Sequence, residues 1–212
     1  GAGEAAARAK AALTDAHGVR MMVDMKTSKA AAAWHAGTTI RFRDIPQFPA
    51  SHYEVNVPLG YLAKTVADHE KDYGLELDPE FQRGHVWTMA QRRAFMEYML
   101  QGGEGGRVLS FNHCNWNGIP KPGDLYEILD GKQRLTSALM FLRNEVPVFG
   151  GYLFRDFTDR PDLGGGFRWR IFALPTRADV LRYYLAMNAG GTPHSAEEIE
   201  RVRGLLTTEV SS

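Results

Sequence analysis

The densest chemistry in the sequence is Asp130-Gly131-Lys132-Gln133-Arg134, four polar side chains around one glycine. An apolar run of Leu125, Tyr126, Ile128 and Leu129 precedes it and predicts a strand. Leu135, Leu139 and Leu142 follow at i, i+4 and i+7, the spacing of a helix face. The polar group therefore sits on a strand-to-helix turn. Backbone N–H groups at a helix start lack partners and carry partial positive charge. Lys132 and Arg134 add full charges and Gln133 an amide, a set suited to phosphate. A plainer account makes Asp130 a helix cap and leaves the cations in water.

Two further stretches could contribute. Pro79-Glu80-Phe81-Gln82-Arg83-Gly84-His85-Val86-Trp87 alternates polar groups with aromatics in a loop before a helix. Its structural account puts Phe81 and Trp87 in the core and Arg83 in an ion pair. Asn188-Ala189-Gly190-Gly191-Thr192-Pro193 either closes a helix or lets the backbone approach a phosphate.

The elements that must position these stretches follow from periodicity. Val55 and Val57 alternate as in a strand, and Pro58 opens a helix along Leu59, Leu62, Ala63, Val66 and Ala67, closed by Gly74. Thr88-Met89-Ala90-Gln91 is a capping box launching a helix to about Leu100, with Phe95, Met96, Met99 and Leu100 as its buried stripe. Residues 108–113 predict a strand. Residues 146–149, 152–154 and 168–174 predict short strands or a flap around the link Gly164-Gly165-Gly166. Thr176 caps a helix with Val180, Leu181, Tyr184, Leu185 and Asn188 on one side, and Ser195 caps a last one to about Leu206. Before residue 38 lies an Ala-rich, helix-prone extension (1–37), followed by an alternating strand at 39–43.

Composition bounds the classes. With 212 residues and 44% hydrophobic content, one domain with a sizeable core is expected. Lys and Arg number 25 and Asp and Glu 25, so no global field draws in nucleic acid, and any DNA contact must be local. Cys114 is the single cysteine, which excludes an intrachain disulfide and suits a reducing compartment. No apolar run approaches the roughly 20 residues of a bilayer span. The start at Gly1 lacks a signal-peptide core and reads as processed, so a soluble intracellular protein is expected. Phe111-Asn112-His113-Cys114-Asn115 is superficially like a metal-nuclease fragment, but no second His or carboxylate follows at ligand spacing. The other histidines are scattered, and Cys114 is expected to pack rather than react.

The three polar stretches, in this order and approximate spacing, resemble the "DGQQR" proteins, similar to the N-terminal domain of GmrSD-type modification-dependent restriction enzymes. That group belongs to the ParB/sulfiredoxin-like superfamily, whose members bind nucleotides and in some branches hydrolyse them or transfer phosphoryl groups. The likeness covers about residues 38–206 and is nearest the short stand-alone versions carried by phages, which would place the protein in a host-cell cytoplasm. It implies an α+β fold, a small mixed sheet surrounded by helices, with a short tail at 207–212.

Carried over by position, Gln82 and Arg83 match the first polar pair. Asp130, Gly131, Gln133 and Arg134 match the naming motif, and Asn188, Gly190 and Gly191, with Thr192 beside them, match the distal turn. Lys132 departs from the family by replacing an amide with a cation. Family members that cut DNA usually carry a further nuclease module, and this chain ends soon after the distal motif.

The resemblance implies a nucleoside triphosphate with its phosphates on Lys132, Arg134 and Arg83, against Gly131 and the Gly190-Gly191 turn. Phosphoryl transfer needs mainly positioning and charge neutralisation. Asp130, or Glu127, would hold Mg²⁺ or orient water, and Gln133 could position that water. Strand alternation puts Glu127 on the face opposite Ile128 but does not fix which face meets the pocket, so Asp130 is the preferred metal ligand. Three functions fit: an NTP-hydrolysing protein of DNA metabolism or phage–host conflict, a nuclease or DNA-modifying phosphotransferase, and a non-catalytic nucleotide or DNA sensor.

Overall fold

The structure is a computed structural model that describes residues 50–51, 53–82, 84, 86–116, 118, 121, 123–159, 161, 163–189 and 196–211. The expected helical extension and the strand at 39–43 fall outside these residues. Residues 50–176 form one compact unit, and the helices beyond residue 176 belong to a second.

The first unit is built on a five-stranded mixed sheet in the order β1-β5-β3-β4-β2. Its strands are β1 (Tyr53–Val57), β2 (Leu75–Glu76), β3 (Val108–His113), β4 (Tyr126–Asp130) and β5 (Phe167–Phe172). β1 runs antiparallel to β5, β5 parallel to β3, β3 antiparallel to β4, and β4 parallel to β2. Helices α1 (Leu59–Tyr73), α2 (Met89–Leu100) and α3 (Lys132–Leu142) complete the unit. The expected α+β class, a small mixed sheet with helices, is what the chain adopts.

Strand alternation makes one sheet face apolar. Leu109 and Phe111 of β3, Tyr126 and Ile128 of β4, and Phe167, Trp169 and Ile171 of β5 are buried there. Phe111 stacks on Trp169 with ring centroids 4.0 Å apart. The helices contribute Leu59, Leu62 and Val66 from α1, Met96 and Met99 from α2, and Leu135, Ala138 and Phe141 from α3. Burying such a side chain contributes about 1.5–3 kcal/mol, so this face holds the sheet to the helices.

The α2 capping box forms as its residues predict. Thr88 Oγ1 accepts the Gln91 N–H at 3.2 Å, and Gln91 Oε1 accepts the Thr88 N–H at 2.8 Å. Met96 and Met99 are fully buried, while Phe95 and Leu100 are half-buried. Arg92 is buried too, donating to Ser137 Oγ at 3.3 Å, a charge on the packed side that apolar periodicity does not anticipate.

Three stretches differ from their sequence reading. Leu75–Glu76 pairs with β4 as a strand, because Gly74 turns the chain and Leu75 drops into the core. Residues 146–154 do not form strands: Val148 and Tyr152 make one isolated bridge around a tight turn, and Phe154–Asp156 is a single 3₁₀ turn. In the second unit, α4 (Arg177–Ala189) buries Val180, Leu181 and Tyr184, and α5 spans Ala196–Ser211. That last helix outruns its expected end at Leu206, with the Thr207 and Thr208 hydroxyls bonding back to the Arg203 and Gly204 carbonyls.

Candidate functional site

The central turn is set by backbone geometry before any side chain acts. Gly131 precedes α3 at φ 100° and ψ 6°, a left-handed conformation open to glycine. A Cβ at this position would stand 2.5 Å from Leu109 Cδ2 and 3.4 Å from Leu109 Cα. Gly131 O accepts the first helical bond, from Leu135 N–H, at 2.8 Å. Just upstream the β3–β4 register shifts: Asp130 lies opposite Ser110, but Ile128 lies opposite Phe111. Such bulges re-aim the residues beside them, here the first member of the polar group.

Asp130 does not cap α3, which has no side-chain cap bond. Its Oδ2 instead accepts from Arg134 at 2.5 Å, one helical turn ahead. The other guanidinium nitrogen of Arg134 donates to the Gly106 and Val108 carbonyls at 2.8 and 2.7 Å. Arg134 therefore ties the start of β3 to the start of α3 while its charge stays beside the turn. Asp130 is exposed, and its Oδ1 is the carboxylate oxygen not committed to Arg134.

Lys132 and Gln133 are buried, unusual places for such side chains unless they are paired. Lys132 forms an ion pair with Asp78, in the loop that follows β2. Gln133 uses both ends of its amide on the loop before α2: Oε1 accepts the Trp87 N–H at 3.3 Å and Nε2 donates to Gly84 O at 2.9 Å. Gln82 closes the arrangement by donating to the Ile128 and Leu129 carbonyls at 3.1 and 2.7 Å. Residues of the Asp78–Trp87 loop are thus joined to those of the Ile128–Arg134 strand end and turn by bonds spanning 46 to 54 residues of chain. Phe81 is fully buried beneath the loop, and Trp87 packs edge-on against Phe95.

The remaining candidates divide. Glu127 is buried on the sheet face opposite the apolar one, in register with Asn112. Its neighbours on that face include Asn112, whose amide brackets the Leu174 backbone at 2.7 and 3.2 Å. Asn188 lies on α4 in the second unit and donates to Tyr184 O at 2.8 Å. Arg83, Gly190, Gly191 and Thr192 lie outside the described residues.

One participant escaped the sequence reading: Asp78, the counter-ion of Lys132. The signal available was its place one residue before Pro79, in a loop already singled out. Asp78 also lines a groove of about 370 Å³ between α1 and α3, with Ala63, Val66, Ala67, Leu139 and Thr136.

Away from the turn, Tyr126 anchors a polar–aromatic cluster on the apolar face. Its hydroxyl accepts from Trp169 Nε1 at 3.1 Å and meets His69 Nδ1 at 2.8 Å. Burial pushes the Tyr126 phenol up and holds His69 and His113 below the usual histidine range. His113 Nδ1 accepts the Asn115 N–H at 3.1 Å. Cys114 is half-buried, with its Sγ 3.8 Å from Asp124 Oδ1.

Among the described residues no group of three or more His, Cys, Asp or Glu side chains could by itself hold a metal ion. Mg²⁺ commonly rests on one or two carboxylates plus the phosphates of a substrate. Asp130 Oδ1 fits that minimal role. No described helix is long and apolar enough to cross a membrane.

Comparison with curated proteins and with solved structures found no match. The family model of the GmrSD restriction endonuclease, N-terminal domain, matches residues 63–169, a span that opens in α1 and closes in β5. It takes in both the Pro79–Trp87 loop and the Asp130–Arg134 turn. With half of its length matched, the chain belongs to the GmrSD N-terminal domain family, a restriction-related group.

Proposed function

We propose that the assembly of loop and turn binds a nucleoside triphosphate and promotes its hydrolysis, in a DNA-directed restriction process. One observation carries this reading: two motifs far apart in sequence converge on a helix start that carries the buried cation Lys132 and the clamped cation Arg134. Phosphates gain most from cations that are held rather than free, because the ordering cost is met on folding. Lys132 and Arg134 would take the phosphate oxygens, and the α3 backbone would add its N–H groups. Asp130 Oδ1 would hold Mg²⁺, which when bound neutralises phosphate charge and polarises the bond that breaks. Gln82 and Gln133 keep the loop in place, so their part is positioning.

A second reading is favoured by a specific feature. Both ends of the Gln133 amide are engaged by backbone, so it is not free to orient an attacking water. That suits a sensor that binds nucleotide and signals without turnover.

Titration with all four NTPs, with and without Mg²⁺ and DNA, scoring binding and phosphate release, separates the cases. Release without DNA supports the hydrolase, and binding without release supports the sensor. Label transfer or strand nicking would support a phosphotransferase or nuclease. Absence of binding under every condition overturns the proposal.

A further inference from the structure

The two cations of the central turn are paired in different ways. Arg134 is held by a carboxylate of its own turn and by two backbone carbonyls, contacts that also secure β3. Lys132 is paired with a carboxylate from a distant loop, and the partners are unequally exposed. The Lys132 side chain is 4% exposed, whereas that of Asp78 is 70% exposed. A buried ammonium loses much of its hydration and needs a counter-ion where it sits. A carboxylate that is mostly in water gives up little by moving back into it. The anion is therefore the exchangeable member of the pair.

The surroundings allow the exchange without unfolding the loop. Asp78 is tethered at its backbone, its N–H donating to Glu76 Oε1 at 2.7 Å. Downstream, the loop is fastened by the bonds of Gln82 and Gln133. The Asp78 side chain also borders the groove between α1 and α3, which offers room for a displaced carboxylate.

We infer that Asp78 is a resident anion at Lys132, which the phosphate of an incoming ligand must displace. The inference rests on the proposal that phosphate binds at this turn, and it adds regulation of that same site. Asp78 offsets the charge of Lys132 in the empty site, weakens it towards monovalent anions, and sets a threshold that only a multiply charged phosphate crosses. An oxyanion of higher charge replaces the carboxylate at an ammonium because it gains more from the same desolvated cation.

The test compares the full chain with its Asp78→Asn, Asp78→Ser and Lys132→Gln variants and the Asp78→Asn/Lys132→Gln double variant. Pyrophosphate is the probe, and binding is followed by calorimetry and by the shift in melting temperature. Both Asp78 variants should melt lower than wild type without ligand and bind pyrophosphate about tenfold more tightly. The double variant should lose that gain. Equal or weaker binding by the Asp78 variants, no binding by any protein, or a gain that survives Lys132→Gln would each overturn the inference. NTP titration of wild type separates the two claims. NTP binding with no gain at Asp78 defeats only the counter-ion role, while a pyrophosphate gain in a protein that ignores NTPs defeats only the nucleotide reading.

Discussion

Leu109 and Gly131 meet so closely that a Cβ on residue 131 would stand 2.5 Å from Leu109 Cδ2. The contact joins β3 to the glycine of the turn, and φ 100° adds backbone strain for any other residue. Gly131→Ala should cost about 2–3 kcal/mol of stability. Gly74→Ala, at φ 67° with open space around it, should cost only about 1 kcal/mol. Urea denaturation of the two variants checks this, and equal losses would show that Leu109 simply moves aside.

Gln133 fastens the loop before α2 through Gly84 and Trp87. Gln133→Ala should cost about 1–3 kcal/mol, because it removes a donor and an acceptor from partly buried backbone. Gln133→Glu should restore the Trp87 bond but set an acceptor against the Gly84 carbonyl. Hydrogen exchange at the Trp87 amide should therefore quicken in the alanine variant and stay slow in the glutamate variant.

For Arg134, structure and binding are linked through its contacts with Asp130, Gly106 and Val108. Arg134→Ala should weaken nucleotide binding by about 1.5–3 kcal/mol, the worth of a hydrogen bond to a charged group, and should also lower the melting temperature. Arg134→Lys keeps the charge but not the fork that spans three acceptors, so it should recover part of the binding and little of the stability. Calorimetric titration well below the melting point reads the two effects separately. Unchanged affinity in the alanine variant would remove Arg134 from the phosphate site.

His69 and His113 predict how stability responds to acid. Burial lowers both pKa values in the folded chain, with the nearby charges of Asp68 and Asp72 opposing the shift at His69 and that of Asp124 opposing it at His113. Below the ordinary histidine value of 6.5, the unfolded chain then binds more protons than the folded one. Stability should be fully present above about pH 6.5 and fall as pH drops through the histidine range, by at most about 1.4 kcal/mol per pH unit for each histidine. Unfolding free energies from pH 7.5 to 5 should show a shallower slope in His113→Gln than in wild type.

Much of the frame was legible along the chain because local rules govern it. The Thr88–Gln91 capping box, the alternation of β3, and the change of period at Gly131 each depend on neighbours a few residues apart. Of the two readings of 146–154, the strands fail: Val146 and Val148 are buried, but Phe149 and Tyr152 stand exposed at a turn around Phe149–Gly151, and the stretch does not pair with the sheet. β2 was missed because two residues are too few to show alternation.

What the amino-acid sequence determined by itself is the polar turn: a strand feeding a helix through Gly131, with two cations and an amide fixed to its first turn by covalent order. What only the tertiary structure decided is what those groups face. The pairing of Lys132 with Asp78, the hold of Gln133 on Gly84 and Trp87, and the grip of Arg134 on Gly106 and Val108 join residues 26 to 54 positions apart. Partners at such separations are chosen by the packing of β2, β3 and α3 around a shared core, and no local pattern encodes that choice.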